Sequence, residues 1–130
     1  MPEMRGLLLA ICWASLAACA AQPGREIRVG MAEYAFLPAV IEVAAGERIR
    51  LVIQNTGRLE HDFAPDQRGR ALGLSHAHLG PGQAASHDWT APASPAEVVV
   101  TCTISGHEAL GMTARIVVRQ NAAPSPSASR

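Results

Sequence analysis

The sequence predicts an all-β protein, a Greek-key antiparallel β-sandwich of about seven to eight strands. Short runs that alternate polar and apolar residues recur between turn residues, which is the pattern of half-buried strands. Helical periodicity is almost absent, and a parallel α/β fold would need crossover helices. A length of 130 residues leaves room for one domain, and an aromatic content of 4% means that aliphatic side chains must build its core.

The predicted strands are short and separated by turns. Six of them are assigned to residues 26–31, 40–43, 48–54, 84–90, 97–102 and 113–118. The third is the clearest, because Ile49, Leu51 and Ile53 lie on one face of it. Between Pro65 and Gly80 the pattern is weak, and both a short helix and an irregular connection fit it.

The N-terminus has the pattern of an export signal. Arg5 precedes an apolar run, residues 7–18, which is too short to span a bilayer and is typical of a secretory signal. Residues 16–19, Leu-Ala-Ala-Cys, resemble the lipobox of bacterial lipoproteins, in which the cysteine becomes the lipidated first residue. We therefore predict a signal peptide over residues 1–18, cleavage before Cys19 and lipidation of Cys19. Cleavage at a small-residue site without lipidation is the alternative.

The remaining chain divides into a short tether, residues 19–25, a β domain, residues 26–119, and a tail, residues 120–130. The tail is rich in Ala, Pro and Ser and predicts disorder. Lys and Arg together number 11, as do Asp and Glu, so the net charge is zero. A neutral chain has no basic surface for nucleic acid. We expect an exported monomer in the periplasm or cell envelope, anchored to the membrane through a lipid on Cys19.

One thiol, one thioether and two imidazoles stand where strands begin or end. Cys102, His107 and Met112 lie at near-even spacing in one short loop, and His61 stands forty residues upstream after a strand. Cys102 is the only cysteine after residue 19, so it is a buried small hydrophobe, a reactive thiol or a metal ligand. The spacing favours the ligand, because this is the donor set of a blue-copper electron-transfer site.

The order of these residues resembles that of the cupredoxins. The resemblance runs over about residues 26–119 and includes Asn55-x-Gly57-x3-His61 followed by Cys102-x4-His107-x4-Met112. Plastocyanin, azurin and rusticyanin belong to this family, and the small periplasmic copper-binding cupredoxins are the most similar group.

The resemblance implies one copper ion that cycles between Cu(I) and Cu(II). It implies that His61, Cys102 and His107 form a trigonal plane, with Met112 as the axial ligand. His107 would be the ligand whose ring edge reaches the surface, where electrons enter and leave.

Further polar residues surround the predicted ligands. Asp62 stands where plastocyanin and azurin have Asn, and we expect its carboxylate to orient the site by accepting a hydrogen bond from Thr103. His76 and His78 are predicted to be exposed loop residues without a ligand role. A second copper site at this pair would need His87 or a carboxylate such as Asp66 to complete it.

The leading functional prediction is a type 1 copper protein that carries electrons between envelope redox partners. Transient partners are expected to dock near His107, where Ala109, Leu110 and Gly111 offer a small apolar surface. The alternative is a periplasmic copper-binding or chaperone protein that handles copper. We do not expect an enzyme, because four protein ligands leave no open position for a substrate.

Overall fold

In the computed structural model, residues 24–120 are described, and they form nine strands and one short helix. The predicted signal peptide, Cys19 and the tail beyond residue 120 lie outside this range. Within it, no helix is long and apolar enough to cross a membrane. In chain order the elements are β1 (Arg25–Ala32), β2 (Ala35–Leu37), β3 (Val40–Ala44), β4 (Arg48–Asn55), β5 (His61–Pro65), α1 (Gln67–Ala71), β6 (Ala77–Leu79), β7 (Ala84–Thr90), β8 (Ala96–Thr101) and β9 (Thr113–Arg119).

Two sheets pack face to face, which confirms the predicted β-sandwich. One sheet has the order β2-β1-β4-β7, and the other has the order β3-β9-β8-β5-β6. Burial alternates along β4, so Ile49, Leu51 and Ile53 enter the core as their spacing predicts. Val98 and Val100 of β8 enter it from the other sheet. Aliphatic side chains therefore supply most of the core.

The strand count and direction differ in part from the prediction. Nine strands are present among the described residues, and three of them, β2, β5 and β6, were not assigned from the sequence. β2 and β6 have three residues each and are too short to show alternation. β5 is buried along most of its length, so its burial does not alternate. Five strand pairings are antiparallel, but β1 with β4 and β3 with β9 are parallel. No crossover helix is needed, because the chain leaves β1, passes through β3 in the opposite sheet and returns as β4.

The second sheet brings three distant points of the chain to one end of the sandwich. β5 pairs with β8 through Ala64 and Thr101, and β8 pairs with β9 through Thr101 and Thr113. All three strands are antiparallel neighbours, so the start of β5, the end of β8 and the start of β9 lie together. The predicted ligands stand at these three strand ends.

Candidate metal centre

Three side chains converge at this end of the sandwich. The Sγ atom of Cys102 and a ring nitrogen from each of His61 and His107 all lie within 4.8 Å of one another. Cys102 Sγ lies 3.4 Å from His107 Nδ1. Among residues 24–120, this is the only group of three or more His, Cys, Asp or Glu side chains close enough to share a metal ion. The sequence predicted all three members.

His61 has the properties expected of a metal ligand. It is fully buried, and neither of its ring nitrogens has a hydrogen-bond partner among residues 24–120. Buried polar atoms are rarely left in this state, because each costs about 1–3 kcal/mol. Burial lowers the pKa of His61, and nearby His107 lowers it further, against smaller opposing effects of Glu33 and Asp62. The neutral imidazole that results is the form that binds a metal ion.

The loop from Cys102 to Met112 is closed by its own backbone. Cys102 N donates to Met112 O at 3.1 Å, and Met112 N donates to His107 O at 3.1 Å. Gly106 and Gly111 turn the chain with φ angles of 84° and 96°, a region that favours glycine. Met112 is fully buried at the end of the loop. The three predicted ligands of this loop are therefore fixed relative to one another.

Asn55 holds the connection that leads to His61. Its side chain is fully buried, and Nδ2 donates to Leu59 O at 2.7 Å and to Leu79 O at 2.9 Å. Its Oδ1 accepts from Gly57 N at 2.9 Å. Asn55 belongs to the motif that precedes His61, but the sequence did not reveal that its amide ties β4 to β6. An Asn with a Gly two positions later, directly after a buried strand, was the available signal.

Tyr34 packs against His107. Its ring meets the ring of His107 edge to face, with centroids 5.2 Å apart and planes at 87°. The sequence did not indicate this contact. His107 is 7% exposed and His61 is 0% exposed, so His107 is the imidazole nearer to solvent.

Glu33, the residue before Tyr34, was not predicted to have a role. Its carboxylate accepts backbone hydrogen bonds from Arg58 N and, at 3.2 Å, from Leu59 N. The bond from Arg58 is the main reason why the pKa of Glu33 lies below its ordinary value. Glu33 therefore helps to hold the β4–β5 connection that precedes His61.

Asp62 contacts the segment after β8, which carries the thiol, in two ways. Its backbone N–H donates to Cys102 Sγ at 3.3 Å, and its carboxylate Oδ2 accepts from the hydroxyl of Thr103. The second contact is the hydrogen bond that the sequence predicts. Burial by itself would raise the pKa of Asp62, but hydrogen bonds from Thr103 and His78 outweigh this effect, and the pKa lies below its ordinary value. Asp62 is therefore held as a carboxylate.

His76 and His78 both face Asp62. His78 Nδ1 lies 2.7 Å from Asp62 Oδ1, and His76 Nε2 lies 3.6 Å from the same oxygen. His87 instead contacts a backbone carbonyl, and Asp66 caps α1. Neither of these residues completes a second site with the pair. Both histidines are about half exposed, as the sequence predicts, but only His76 lies in a loop, because His78 is part of β6.

The donor set fits copper. A thiolate, two imidazoles and a buried methionine in this arrangement form a site typical of a type 1 copper centre. Bound copper would supply a one-electron couple between Cu(I) and Cu(II). The protein would contribute buried donors that are placed in advance by strand ends and by a closed loop.

Comparison with known proteins identifies the family. A model of the cupredoxin-like domain matches residues 6–118. The copper-resistant cuproprotein CopI of Rubrivivax gelatinosus is 33% identical over 121 residues, covering 77% of this chain and 70% of that protein. CopI of Pseudomonas aeruginosa is 48% identical over 44 residues, a stretch that covers 34% of this chain and 24% of that protein.

Solved structures show the same fold. Dithionite-reduced auracyanin from Roseiflexus castenholzii superposes with a TM-score of 0.61 at 21% identity, covering 75% of this chain and 98% of that one. A copper-containing nitrite reductase from Thermus scotoductus gives 0.61 at 14% identity, covering 80% of this chain and 33% of that one. At these identities the likeness concerns the fold alone. Because the family model matches most of this chain, the chain belongs to the cupredoxin-like domain family.

Proposed function

We propose that this chain is a mononuclear type 1 copper protein that carries electrons between redox partners of the cell envelope. The observation that carries the proposal is a buried cluster of the Cys102 thiol and two imidazoles. Within the part of the chain that the structure describes, neither ring nitrogen of His61 has a hydrogen-bond partner. An electron carrier needs donors that suit both oxidation states. Thiolate and thioether favour Cu(I), and imidazole serves both states.

Rigidity supports a carrier role, because a site that changes geometry little between oxidation states exchanges electrons readily. His61 begins one strand, Cys102 follows the end of a second, and Met112 precedes a third. The loop between them closes on itself through backbone hydrogen bonds. These constraints limit how far the donors can move when the charge of the ion changes.

The surface beside His107 supports transient docking. Leu110, three residues after His107, is 62% exposed, and Tyr34 against the His107 ring is 39% exposed. Ala109 and Gly111 are exposed as well. A small apolar surface of this kind suits the weak and short-lived contacts of redox proteins. We propose that electron-transfer partners dock there.

We further propose that the chain is not an enzyme. All four donors come from the chain itself, and each is buried or nearly so. A substrate would need an open position on the metal, which this donor set does not leave. The nitrite reductase shares only its fold at 14% identity and is three times longer than the matched region, so it does not argue for catalysis here.

Copper handling is the second candidate, and the names of the relatives favour it. Both are copper-resistant cuproproteins, and the one from Rubrivivax gelatinosus matches over most of this chain. A handling protein must release its ion, whereas a carrier must retain it through many redox cycles. Competition with a Cu(I) chelator of known affinity separates the two. Retention of copper during repeated reduction and oxidation supports the carrier, and rapid transfer of Cu(I) to the chelator supports handling.

The copper assignment is tested by the spectrum and redox titration of the domain after addition of Cu(II). We expect one equivalent to bind with an intense visible band from thiolate-to-copper charge transfer, and the band to disappear reversibly on reduction. Cys102→Ala should abolish the band and keep the far-ultraviolet circular dichroism of the sandwich. A variant that keeps the strong band would show that Cys102 is not the ligand.

For localisation, we propose export and anchoring through a lipid on Cys19. The support is the Leu-Ala-Ala-Cys sequence that ends the N-terminal apolar run. The native protein should fractionate with membranes, and Cys19→Ser should release or mislocalise it. Recovery of the unmodified wild type in the soluble periplasm would favour plain signal cleavage.

A further inference from the structure

His78 occupies a defined position in the sheet, although the sequence places it in a weakly patterned segment. In the antiparallel pair of β5 and β6, His78 is directly opposite Asp62. On the other side of β5, Ala64 pairs with Thr101, and the same register continued by two residues places Thr103 opposite Asp62. Side chains directly opposite each other on neighbouring strands share a face and make contact. Asp62 therefore has His78 on one side and Thr103 on the other.

Each oxygen of the Asp62 carboxylate has its own donor. His78 Nδ1 lies 2.7 Å from Oδ1, and the Thr103 hydroxyl donates to Oδ2. An ionised carboxylate only accepts hydrogen bonds, so the proton of this contact belongs to His78 Nδ1. With both oxygens engaged across two strands, the start of β5 has little freedom to rotate.

The backbone of the same residue reaches the predicted metal ligand. The N–H of Asp62 points to Cys102 Sγ at 3.3 Å. A continuous path thus runs from a half-exposed imidazole, through a buried carboxylate, to the hydrogen bond on the thiol sulfur. Hydrogen bonding around the cysteine sulfur tunes the potential of blue-copper sites.

We propose that His78 is a positioning residue of the metal centre. By fixing Asp62, it strengthens the hydrogen bond from the Asp62 backbone N–H to Cys102 Sγ and thereby raises the reduction potential of the copper site. This inference rests on the proposed copper function, because a potential exists only if the site binds copper. Hydrogen-bonded partners beyond the ligands commonly control a metal site in this way.

The direction of the effect follows from charge. Without the His78 donor, the negative charge of Asp62 near the metal is less compensated, which stabilises the more highly charged Cu(II). Loss of the His78 contact also lets Asp62 move more freely, which weakens the hydrogen bond from its backbone N–H to Cys102 Sγ. The thiolate then donates more electron density to the copper ion, which again favours Cu(II). Both changes lower the potential. Loss of such partners changes metal affinity or activity by about 10–100-fold. We take the lower end of that range as the expected shift of the Cu(II)/Cu(I) equilibrium, and a shift of about tenfold towards Cu(II) is about 59 mV for one electron.

His76 provides a matched control. It is a half-exposed histidine of the same segment, and its Nε2 approaches the same oxygen of Asp62 at 3.6 Å, beyond hydrogen-bond distance. His76→Ala therefore removes an equivalent imidazole without removing a hydrogen bond. His78→Asn is the rescue variant, because its amide nitrogen can donate from about the position of the imidazole Nδ1.

The test measures the potential of the copper-loaded protein at one fixed pH for wild type, His78→Ala, His78→Asn and His76→Ala. We expect His78→Ala to lower the potential by about 59 mV, the tenfold shift derived above, and the other two variants to stay close to wild type. An unchanged His78→Ala overturns the inference. An equal shift in His76→Ala also overturns it, because the effect would then come from loss of a nearby imidazole and not from the hydrogen bond.

A second readout does not depend on copper. In the metal-free protein, the amide proton of Asp62 should exchange with solvent faster in His78→Ala than in wild type or His76→Ala, as measured by nuclear magnetic resonance. Unchanged exchange would refute the positioning role. If copper fails to bind the wild type, the proposed function is wrong, while the exchange measurement still decides whether His78 positions Asp62.

Discussion

At the residue scale, Met112 is the predicted ligand that we expect to tune the reduction potential of the copper site. It is fully buried at the end of the loop, and its backbone contacts both Cys102 and His107. The resemblance to the cupredoxins assigns it the axial position, where a thioether binds weakly and at long range. A weak axial donor should influence the potential more than the affinity.

We therefore predict that Met112→Leu keeps copper and colour and raises the reduction potential, because an apolar neighbour disfavours Cu(II). The swap nearly conserves volume and should cost less than about 1.5 kcal/mol of stability. Met31→Leu is the control, since Met31 is equally buried but lies in β1 outside the ligand loop. Protein film voltammetry of both variants checks this. Loss of copper from Met112→Leu alone would mean that Met112 is a principal ligand.

At the scale of elements, the connection between β4 and β5 decides where His61 stands. Asn55 spans this connection with three hydrogen bonds from one buried amide. Removal of the amide would leave two carbonyls and one N–H without their partner. Each unsatisfied buried group costs about 1–3 kcal/mol, less whatever water can restore.

We predict that Asn55→Ala lowers the unfolding free energy of the metal-free domain by about 2–4 kcal/mol, as expected for several lost buried hydrogen bonds. Urea titration provides the measurement. Gln54→Ala is the neighbouring control, because Gln54 is exposed in the same strand and should change stability by less than about 0.5 kcal/mol. Similar losses in the two variants would show that the amide of Asn55 has no special role.

The segment from residue 65 to residue 80 shows where local pattern stops being informative. It contains both α1, with five residues, and β6, with three. Neither is long enough to display its own periodicity. Within the segment, Asp66 caps α1. Two residues outside the segment also hold it in place: Val99 N donates to the Asp66 carboxylate, and Trp89 Nε1 donates to Leu72 O at 2.8 Å. Tertiary contacts, and not the local sequence pattern, therefore decide the structure of this segment.

At the scale of the whole molecule, stability should depend on pH through paired carboxylates. Glu47 accepts from Arg25 Nε at 2.7 Å and from Ala44 N at 2.9 Å, and the Arg25 contact is the main reason why the pKa of Glu47 lies below its ordinary value. The pKa of Glu33 is also lowered. Since the folded protein holds these protons less tightly than the unfolded chain, this contribution to stability is present above the ordinary pKa of Glu and is lost as the pH falls through the lowered pKa values of Glu47 and Glu33.

We predict that Glu47→Gln destabilises the metal-free domain by about 0.2–1 kcal/mol at pH 7 and that the difference from wild type shrinks as the pH falls through the lowered pKa of Glu47. Urea unfolding at several pH values between about 7 and 3 checks this range, which brackets the ordinary carboxylate values. Glu108→Gln is the control, because Glu108 is exposed and has no ion pair within residues 24–120. A difference that stays constant with pH would contradict the assignment.

The sequence alone determined the fold class, most of the strands and the candidate donors. Alternation within a strand such as β4 is a local property, because successive side chains point to opposite faces. The spacing of Cys102, His107 and Met112 is local as well, since one short loop carries all three. Such features can be recognised without knowing what lies beside them.

Only the tertiary structure decided the contacts that depend on register between distant strands. The parallel pairing of β1 with β4, the unpartnered nitrogens of His61 and the alignment of His78 with Asp62 all arise there. A shift of one residue in register would turn His78 to the opposite face of the sheet and break its contact with Asp62. Register is set by the packing of the whole sandwich, so residues far apart in sequence acquire their partners only when the chain has folded.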